Sequence, residues 1–523
     1  MLVALGGFAF RLPQLELRPL HTDEAVHAVK LGELLEHGVY TYNPLEFHGP
    51  TLVYFTWPLA RAARVQNLAQ FGGQSLLLVV PVIFGALLIA ALLLMQDGLG
   101  WRACTIAAVL TAISPAMVYY SRYYIQEMLL AFFAFSAIGF GWRYVQATRT
   151  GAPTRTRAVY ALAVGAFAGL MLATKETSLV LLTAMLASAA LTRLRDRTYP
   201  HEKMDARFAA GHLLAAAFVG LLIGGLCISN FLRNPAALLE YIRGMANYAS
   251  RAATGDSNTH GVQAHLQPWY FYLQRLGWFR EHPAFLWSEG IILLLGLVGA
   301  GTALLRRRSS TPLVTFLAFY TLLLTIIFSA LPYKTPWNAV PFLHGWILLA
   351  GIGTIQLVDA LPNRSLRQAA GGLFALGCAH LAWQSYRANF VFPADTRNPY
   401  VYAGTSSDLL NLARQMENVA AVSGDRHALR IDVIAPGSDY WPLPWYLRRF
   451  PNTGYFDSIP STLDASVVIC SANLDEEVTA KLGGNYGSSY FGLRPGVLLS
   501  VHVQEDLWNA LLRQRQNATL VAH

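Results

Sequence analysis

The sequence is short of charge. Only 13% of its 523 residues are Asp, Glu, Lys or Arg, about half the ~25% of an average soluble domain. With 54% hydrophobic residues and apolar runs of spanning length recurring through residues 1–390, this excludes an ordinary soluble protein and predicts a polytopic membrane protein. Cysteine is scarce. Cys104, Cys227, Cys378 and Cys470 lie far apart, three of them in or beside apolar runs, so neither a disulfide framework nor a cysteine metal site is expected. A basic face is also lacking. The 39 Lys and Arg exceed the 30 Asp and Glu to give +9, but they lie in short loops between apolar runs. That fits loops facing anionic lipid and disfavours a nucleic-acid partner. No cleavable signal peptide, glycine-rich nucleotide fingerprint, internal repeat or low-complexity tract is recognisable.

What is present is about eleven apolar spans, at 1–19, 75–96, 101–120, 125–142, 158–173, 177–192, 210–230, 284–305, 312–332, 337–359 and 369–389. The first is broken by Arg11 and short for a crossing, which predicts a tilted or bilayer-thinning segment unless the chain starts further upstream. Arginine marks alternate connections: Arg143 to Arg157, Arg193 to Arg207, Arg306 to Arg308, and Arg364 with Arg367. The positive-inside rule puts these in the cytoplasm. Residues 25–37 and 51–65 read as interfacial or half-inserted helices. From residue 392 short strand-like and helix-like runs alternate, so residues 392–523 are expected to form a small extracytoplasmic α/β domain after a membrane domain at 1–391. Helices are expected near 405–420, 474–482 and 505–513, and strands near 430–435, 465–470 and 497–503.

This topology collects the unusual polar residues on the outer face. The first loop holds the paired acids Asp23 and Glu24, then Glu46 and His48. Later outer turns hold Arg122, Tyr123 and Glu127, then Lys175 and Glu176, then Tyr333 and Lys334. Sugar transfer from a lipid-linked donor needs a carboxylate to take a proton from the acceptor. It also needs cations to meet charge developing on a phosphate leaving group. Asp23 suits the base role and Glu24 an orienting one, with Arg122, Lys175 and Lys334 as cations. Each residue has a plainer reading beside this one. Asp23 and Glu24 also suit a helix N-terminus, Arg122 with Glu127 a structural ion pair, and Lys175 with Glu176 mutual neutralisation. Prolines around Lys334 also suit a simple helix break. Glu46 and His48 are two candidate ligands for a divalent metal ion. The stretch Trp441-Pro442-Leu443-Pro444-Trp445-Tyr446 reads as a sugar platform, as core, or as a lipid-docked surface.

The pattern resembles the GT-C superfamily of membrane glycosyltransferases, which includes protein O-mannosyltransferases and aminoarabinose transferases. The resemblance is carried by Asp23-Glu24 after the first span, His48-Gly49-Pro50-Thr51, Ser114-Pro115 with Ser121-Arg122 and Glu127, and Thr174-Lys175-Glu176. Relatives often have another basic residue at the position of His48 and glycine at that of Glu176. Within the superfamily the chain looks most like the flippase-activity-associated Agl23-like family, through His21-Thr22-Asp23-Glu24-Ala25, Tyr333-Lys334-Thr335-Pro336-Trp337, Asn398-Pro399-Tyr400-Val401-Tyr402 and the Trp441–Tyr446 stretch. The resemblance implies many transmembrane helices, a distal domain and an inverting transfer from a polyprenyl-phosphate sugar to a lipid or protein acceptor, outside the cytoplasmic membrane, with Asp23 as base. A second expectation is a non-catalytic accessory protein or transporter for lipid-linked glycans. A transporter would carry broken, polar helices at mid-membrane, whereas here the polar groups gather at one surface.

Overall fold

The computed structural model describes residues 1–44, 47–195, 206–254, 256–257, 263–281, 285–305 and 311–521. Each of the eleven expected spans carries a helix: Leu2–Arg11, Ser75–Ala91, Trp101–Ile113, Glu127–Arg149, Thr154–Leu172, Ser178–Arg195, Ala206–Ile228, Gly290–Leu305, Pro312–Ala330, Val340–Ala360 and Arg364–Tyr386. Among the described residues, seven stretches are long and apolar enough to cross a membrane: Ser75–Leu99, Glu127–Arg149, Thr154–Leu172, Ser178–Arg195, Ala210–Ile228, Pro312–Ala330 and Pro336–Ala360. Leu2–Arg11, Trp101–Ile113 and Gly290–Leu305 are apolar but shorter. Helix Arg364–Tyr386 falls in neither group; Arg364, Arg367, Gln368 and Gln384 dilute it. Helix Pro336–Ala360 is 83% buried and forms the centre. Helix Leu2–Arg11 ends where Arg11, fully buried, donates to Ser121 Oγ (2.8 Å) and to the carbonyls of Thr111 (2.8 Å) and Ala112 (2.9 Å). The residue that broke the first apolar run thus binds the last carbonyls of its neighbouring helix. Of the arginine-marked connections, residues 306–310 and 196–205 lie outside the described residues.

Helices Thr22–His37, Thr51–Ala62, Ala237–Thr254 and Phe271–Gly277 lie in the connections outside these spans. The first buries Ala25, Ala28, Leu31 and Leu35, a helical repeat of three and four residues. It starts at Thr22 rather than Ala25 because His21 and Glu24 form a reciprocal cap. Helix Ala237–Thr254 lies in what reads as an outer loop. Its Gly244 passes so close to the first loop that a Cβ there would sit 2.6 Å from the carbonyl oxygen of Pro44.

The C-terminal region is a five-stranded sheet in the order Thr453–Phe456, Ile431–Ile434, Val467–Ser471, Val497–Gln504, Tyr486–Arg494. The first two pairings are parallel and the last two antiparallel. Side chains alternate across it. Ile431, Val433, Val467, Ile469, Val501 and Val503 share one core with helices Leu409–Val422 and Glu505–Val521. Ile434, Val468 and Cys470 face the other way, onto Val478 and Leu482 of helix Asp475–Leu482. Strands Thr453–Phe456 and Tyr486–Arg494 are additions to the expected set. Both are edge strands with glycine, which blurs the alternation.

This sheet domain docks onto the loop before helix Thr22–His37. Leu20 N donates to Tyr446 Oη (2.8 Å), and Leu20 O accepts from Thr405 Oγ1 (2.7 Å). The tilted rings of Trp445 and Phe71 pack at 5.7 Å, and Arg448 Nη2 donates to Phe71 O at 2.8 Å. The Trp441–Tyr446 stretch is therefore a dock between domains. Tyr446→Phe leaves the buried Leu20 N–H without an acceptor, worth about 1–3 kcal/mol, and should lower the thermal midpoint of the full chain in detergent. An unchanged midpoint would show the dock to be held elsewhere.

Candidate active site

The two acids of the first loop have opposite environments. Glu24 is fully buried. Its carboxylate accepts from Arg18 Nη1 (2.5 Å) and Nη2 (2.7 Å), from His21 N (2.7 Å) and from Tyr124 N (2.7 Å). Four donors fill a carboxylate's acceptor sites, so Glu24 is a structural anchor. Asp23, one residue earlier, turns the other way. Its side chain is 41% exposed, and its closest basic neighbour, His21 Nδ1, is 3.8 Å away. No hydrogen bond onto the Asp23 carboxylate is present among the described residues. Partial desolvation raises its pKa, but His21, His48, His27 and Lys175 outweigh that and hold it below the ordinary value. It stays ionised and open, as a general base must.

Around Asp23 the structure gathers three other motifs. Lys175 pairs with Glu127 Oε1, both buried. His48 Nδ1 meets Glu176 Oε2 at 2.7 Å. His48 and Lys175 hold the Glu176 carboxyl low against the opposing desolvation. The contact is made possible by Gly49, where a Cβ would lie 2.1 Å from Ala173 O, and by Thr51 Oγ1 meeting Thr174 Oγ1 at 2.8 Å. His27 meets Gln126 at 3.0 Å. Burial, aided by His48, pushes its pKa down to about 4, so it is neutral at pH 7. Buried polar atoms left without a partner include Glu127 Oε2, Glu176 Oε1, His21 Nε2 and Tyr42 Oη. They leave buried hydrogen-bonding capacity that no protein group meets.

Other expected site residues lie elsewhere or point elsewhere. Arg122 donates to the backbone oxygens of Arg11 (2.6 Å), Pro13 (2.7 Å) and Gln14 (2.9 Å), folding the first loop over its guanidinium. Burial and Arg18 push its pKa down to about 10. The cavity beside Arg18 and Arg122 is about 10 Å³, room for one water and not for a phosphate. Tyr123 is sandwiched, with Arg18 at 3.7 Å over its ring and Trp337 at 6.4 Å. Lys334 is 1% exposed and donates to the carbonyls of Gln267 (3.0 Å) and Leu331, just past helix Pro312–Ala330. Tyr333 packs on His265 at 4.9 Å. From that motif the residue reaching the first loop is Trp337, 5.6 Å from His21. Glu46 lies outside the described residues.

Three site residues are not apparent from the sequence. Arg18 sits in a mixed stretch with no helical or strand period, and only its partner Glu24 marks it. Tyr248, whose ring is 5.8 Å from His48, and Tyr241, which donates to Leu172 O (2.8 Å), belong to helix Ala237–Thr254. The amphipathic spacing of that helix is the signal that reveals them.

No protein-family profile and no curated protein sequence matches the chain. Solved structures do match. ArnT from Cupriavidus metallidurans in the apo state superposes with TM-score 0.63 at 14% identity, covering 97% of this chain and 98% of that one. The same protein bound to undecaprenyl phosphate gives 0.60 at 15% identity, covering 96% and 97%. The archaeal oligosaccharyltransferase AglB from Archaeoglobus fulgidus, in complex with an inhibitory peptide and a dolichol-phosphate, gives 0.60 at 13% identity, covering 97% and 76%. AglB has also been solved in complex with Zn and sulfate, matching at 0.58. At such identities the likeness is one of fold: over almost its whole length the chain folds as ArnT and AglB do.

Proposed function

We propose that the protein is a membrane glycosyltransferase that moves a sugar from a polyprenyl-phosphate donor to a lipid or protein acceptor at the outer face of the cytoplasmic membrane. The observation that carries this is the split between the paired acids: Glu24 is saturated with donors, while Asp23 is ionised, open and ringed by three further polar motifs. The binding of undecaprenyl phosphate by ArnT and of dolichol-phosphate by AglB, in the same fold, supports a lipid-phosphate donor.

Asp23 takes the proton from the acceptor hydroxyl or amine. The acceptor atom bonds to the anomeric carbon as the bond from that carbon to the phosphate oxygen breaks. The electron pair leaves on the polyprenyl phosphate, and attack opposite the leaving group inverts the anomeric centre. Lys175, whose charge bears on Asp23, supplies the positive charge that meets the developing negative charge, and the His48 imidazole serves as a hydrogen-bond donor beside it. Tyr248 flanks the sugar path against His48. Arg122 and Lys334 act at one remove, by fixing the loops that carry these groups.

Among the described residues, the ligand atoms of Asp23, His48, Glu127 and Glu176 do not form a group of three close enough to hold one metal ion.

The test is transfer from radiolabelled polyprenyl-phosphate sugars by purified protein. Asp23→Asn should cut turnover about 10²–10⁴-fold, the range for loss of a positioned base, with donor binding retained. Full turnover by Asp23→Asn overturns the base assignment. Donor binding without turnover in either protein favours an accessory or transport role. Glu24→Ala should instead destabilise the fold by about 3–5 kcal/mol, because Arg18 is left buried and unpaired; a wild-type thermal midpoint would contradict that. His48→Gln removes a positive neighbour that keeps the Asp23 pKa low, so Asp23 should protonate at higher pH. The acid limb of kcat/KM should then move toward neutrality, and an unmoved limb would separate His48 from the base.

A further inference from the structure

Far from Asp23, three side chains of metal-binding type meet on one face of the C-terminal sheet. Cys470 is the penultimate residue of strand Val467–Ser471, and Ser500 lies directly opposite it on strand Val497–Gln504. His502, two residues along, projects to the same face. Helix Asp475–Leu482 crosses that face and begins with Asp475. The ligand atoms of Cys470, Asp475 and His502 all lie within 4.8 Å of one another. Cys470 Sγ is 3.8 Å from His502 Nε2, which is 3.0 Å from Asp475 Oδ1. Tetrahedral zinc, with bonds of about 2.0–2.3 Å, separates its ligand atoms by roughly 3.3–3.6 Å. The Cys470–His502 and His502–Asp475 separations each differ from this by a few tenths of an ångström, and Cys470 and Asp475, within 4.8 Å of each other, close the remaining gap.

The surroundings are those of a metal site as well. His502 Nδ1 is engaged by Ser488 Oγ at 2.9 Å, which directs Nε2 at the cluster. Tyr490 Oη donates to the second Asp475 oxygen at 2.7 Å, leaving Oδ1 inward. Ser500 Oγ reaches both Asp475 Oδ1 and His502 Nε2 and occupies the fourth corner. Cys470 is free and fully buried, His502 is 1% exposed, and the 24%-exposed Asp475 side chain leaves a route in from solvent.

We propose that Cys470, Asp475 and His502 form a zinc site that clips helix Asp475–Leu482 to the two central strands of the distal sheet. It is independent of the glycosyl-transfer reading. Thiolate, imidazole and carboxylate are the ligand types zinc selects, and three protein ligands leave one corner for Ser500 or water.

The test uses the full chain in detergent, stripped of metal and titrated with Co²⁺ as a spectroscopic stand-in and with Zn²⁺ in competition. One equivalent of Co²⁺ should give a thiolate charge-transfer absorption that Zn²⁺ bleaches. Cys470→Ser should lose that absorption, and Ser488→Ala should weaken affinity about 10–100-fold, as loss of an orienting partner does. Asp23→Asn should leave the absorption intact, which separates this site from any ion held near Asp23. Circular dichroism checks the fold of each variant; should Cys470→Ser fail to fold, His502→Gln takes its place and should shift or abolish the band. Absence of a thiolate band in the wild-type protein, or its persistence in Cys470→Ser, overturns the proposal.

Discussion

The buried pair of Arg18 and Glu24 is the constraint on which the rest of the site depends. Burying two charges is costly unless their donors and acceptors are met, and here both guanidinium Nη groups and both carboxylate oxygens are. Glu24 collects donors from Arg18, from His21 and from Tyr124, while Arg18 reaches on to Arg122 O at 3.0 Å and lies over the Tyr123 ring. Three chain segments, around residues 18, 24 and 122–124, are thereby fixed to one point. Because Glu24 is the N3 residue of its helix, this anchor also fixes the direction of Asp23, one position earlier on a different face.

A second layer follows from the same economy of charge. Lys175 with Glu127 and His48 with Glu176 bring the other polar turns together as opposite-charge pairs. Each pair keeps one carboxylate oxygen unpartnered. The protein thus satisfies most of its buried charge and leaves a small set of buried polar atoms without a partner. Such a set is unfavourable without a ligand, and ligand recognition is the common reason for keeping one.

Much of this was legible from the sequence because acids and bases are rare in it. A carboxylate pair or a Lys-Glu pair between apolar runs stands out when only 13% of residues are charged. The helices inside the spans, and most of the distal sheet, follow from apolar runs and alternation. What sequence could not resolve is where a side chain's partners lie. Asp23 and Glu24 are adjacent and chemically alike, and their environments are separated by Arg18 together with Tyr124, a hundred residues later. Arg122 and Lys334 read as phosphate ligands, yet both bind main-chain carbonyls. Cys470 reads as a solitary buried cysteine, since strand register alone brings His502 beside it. Helix Ala237–Thr254 hides in a stretch whose aromatic and basic residues resemble a loop.

Leu20 gives the arrangement an order in time. Both of its backbone groups are held by residues far along the chain, at sequence separations of 385 and 426. Synthesis runs from the N-terminus at about 5–20 residues per second, so the loop bearing Asp23 emerges early and waits for its last contacts until the distal domain has been made. The first loop cannot complete its contacts while the chain is still being made. Maturation of the site is tied to completion of the polypeptide, and a truncated product lacks the dock that sets Leu20 in place.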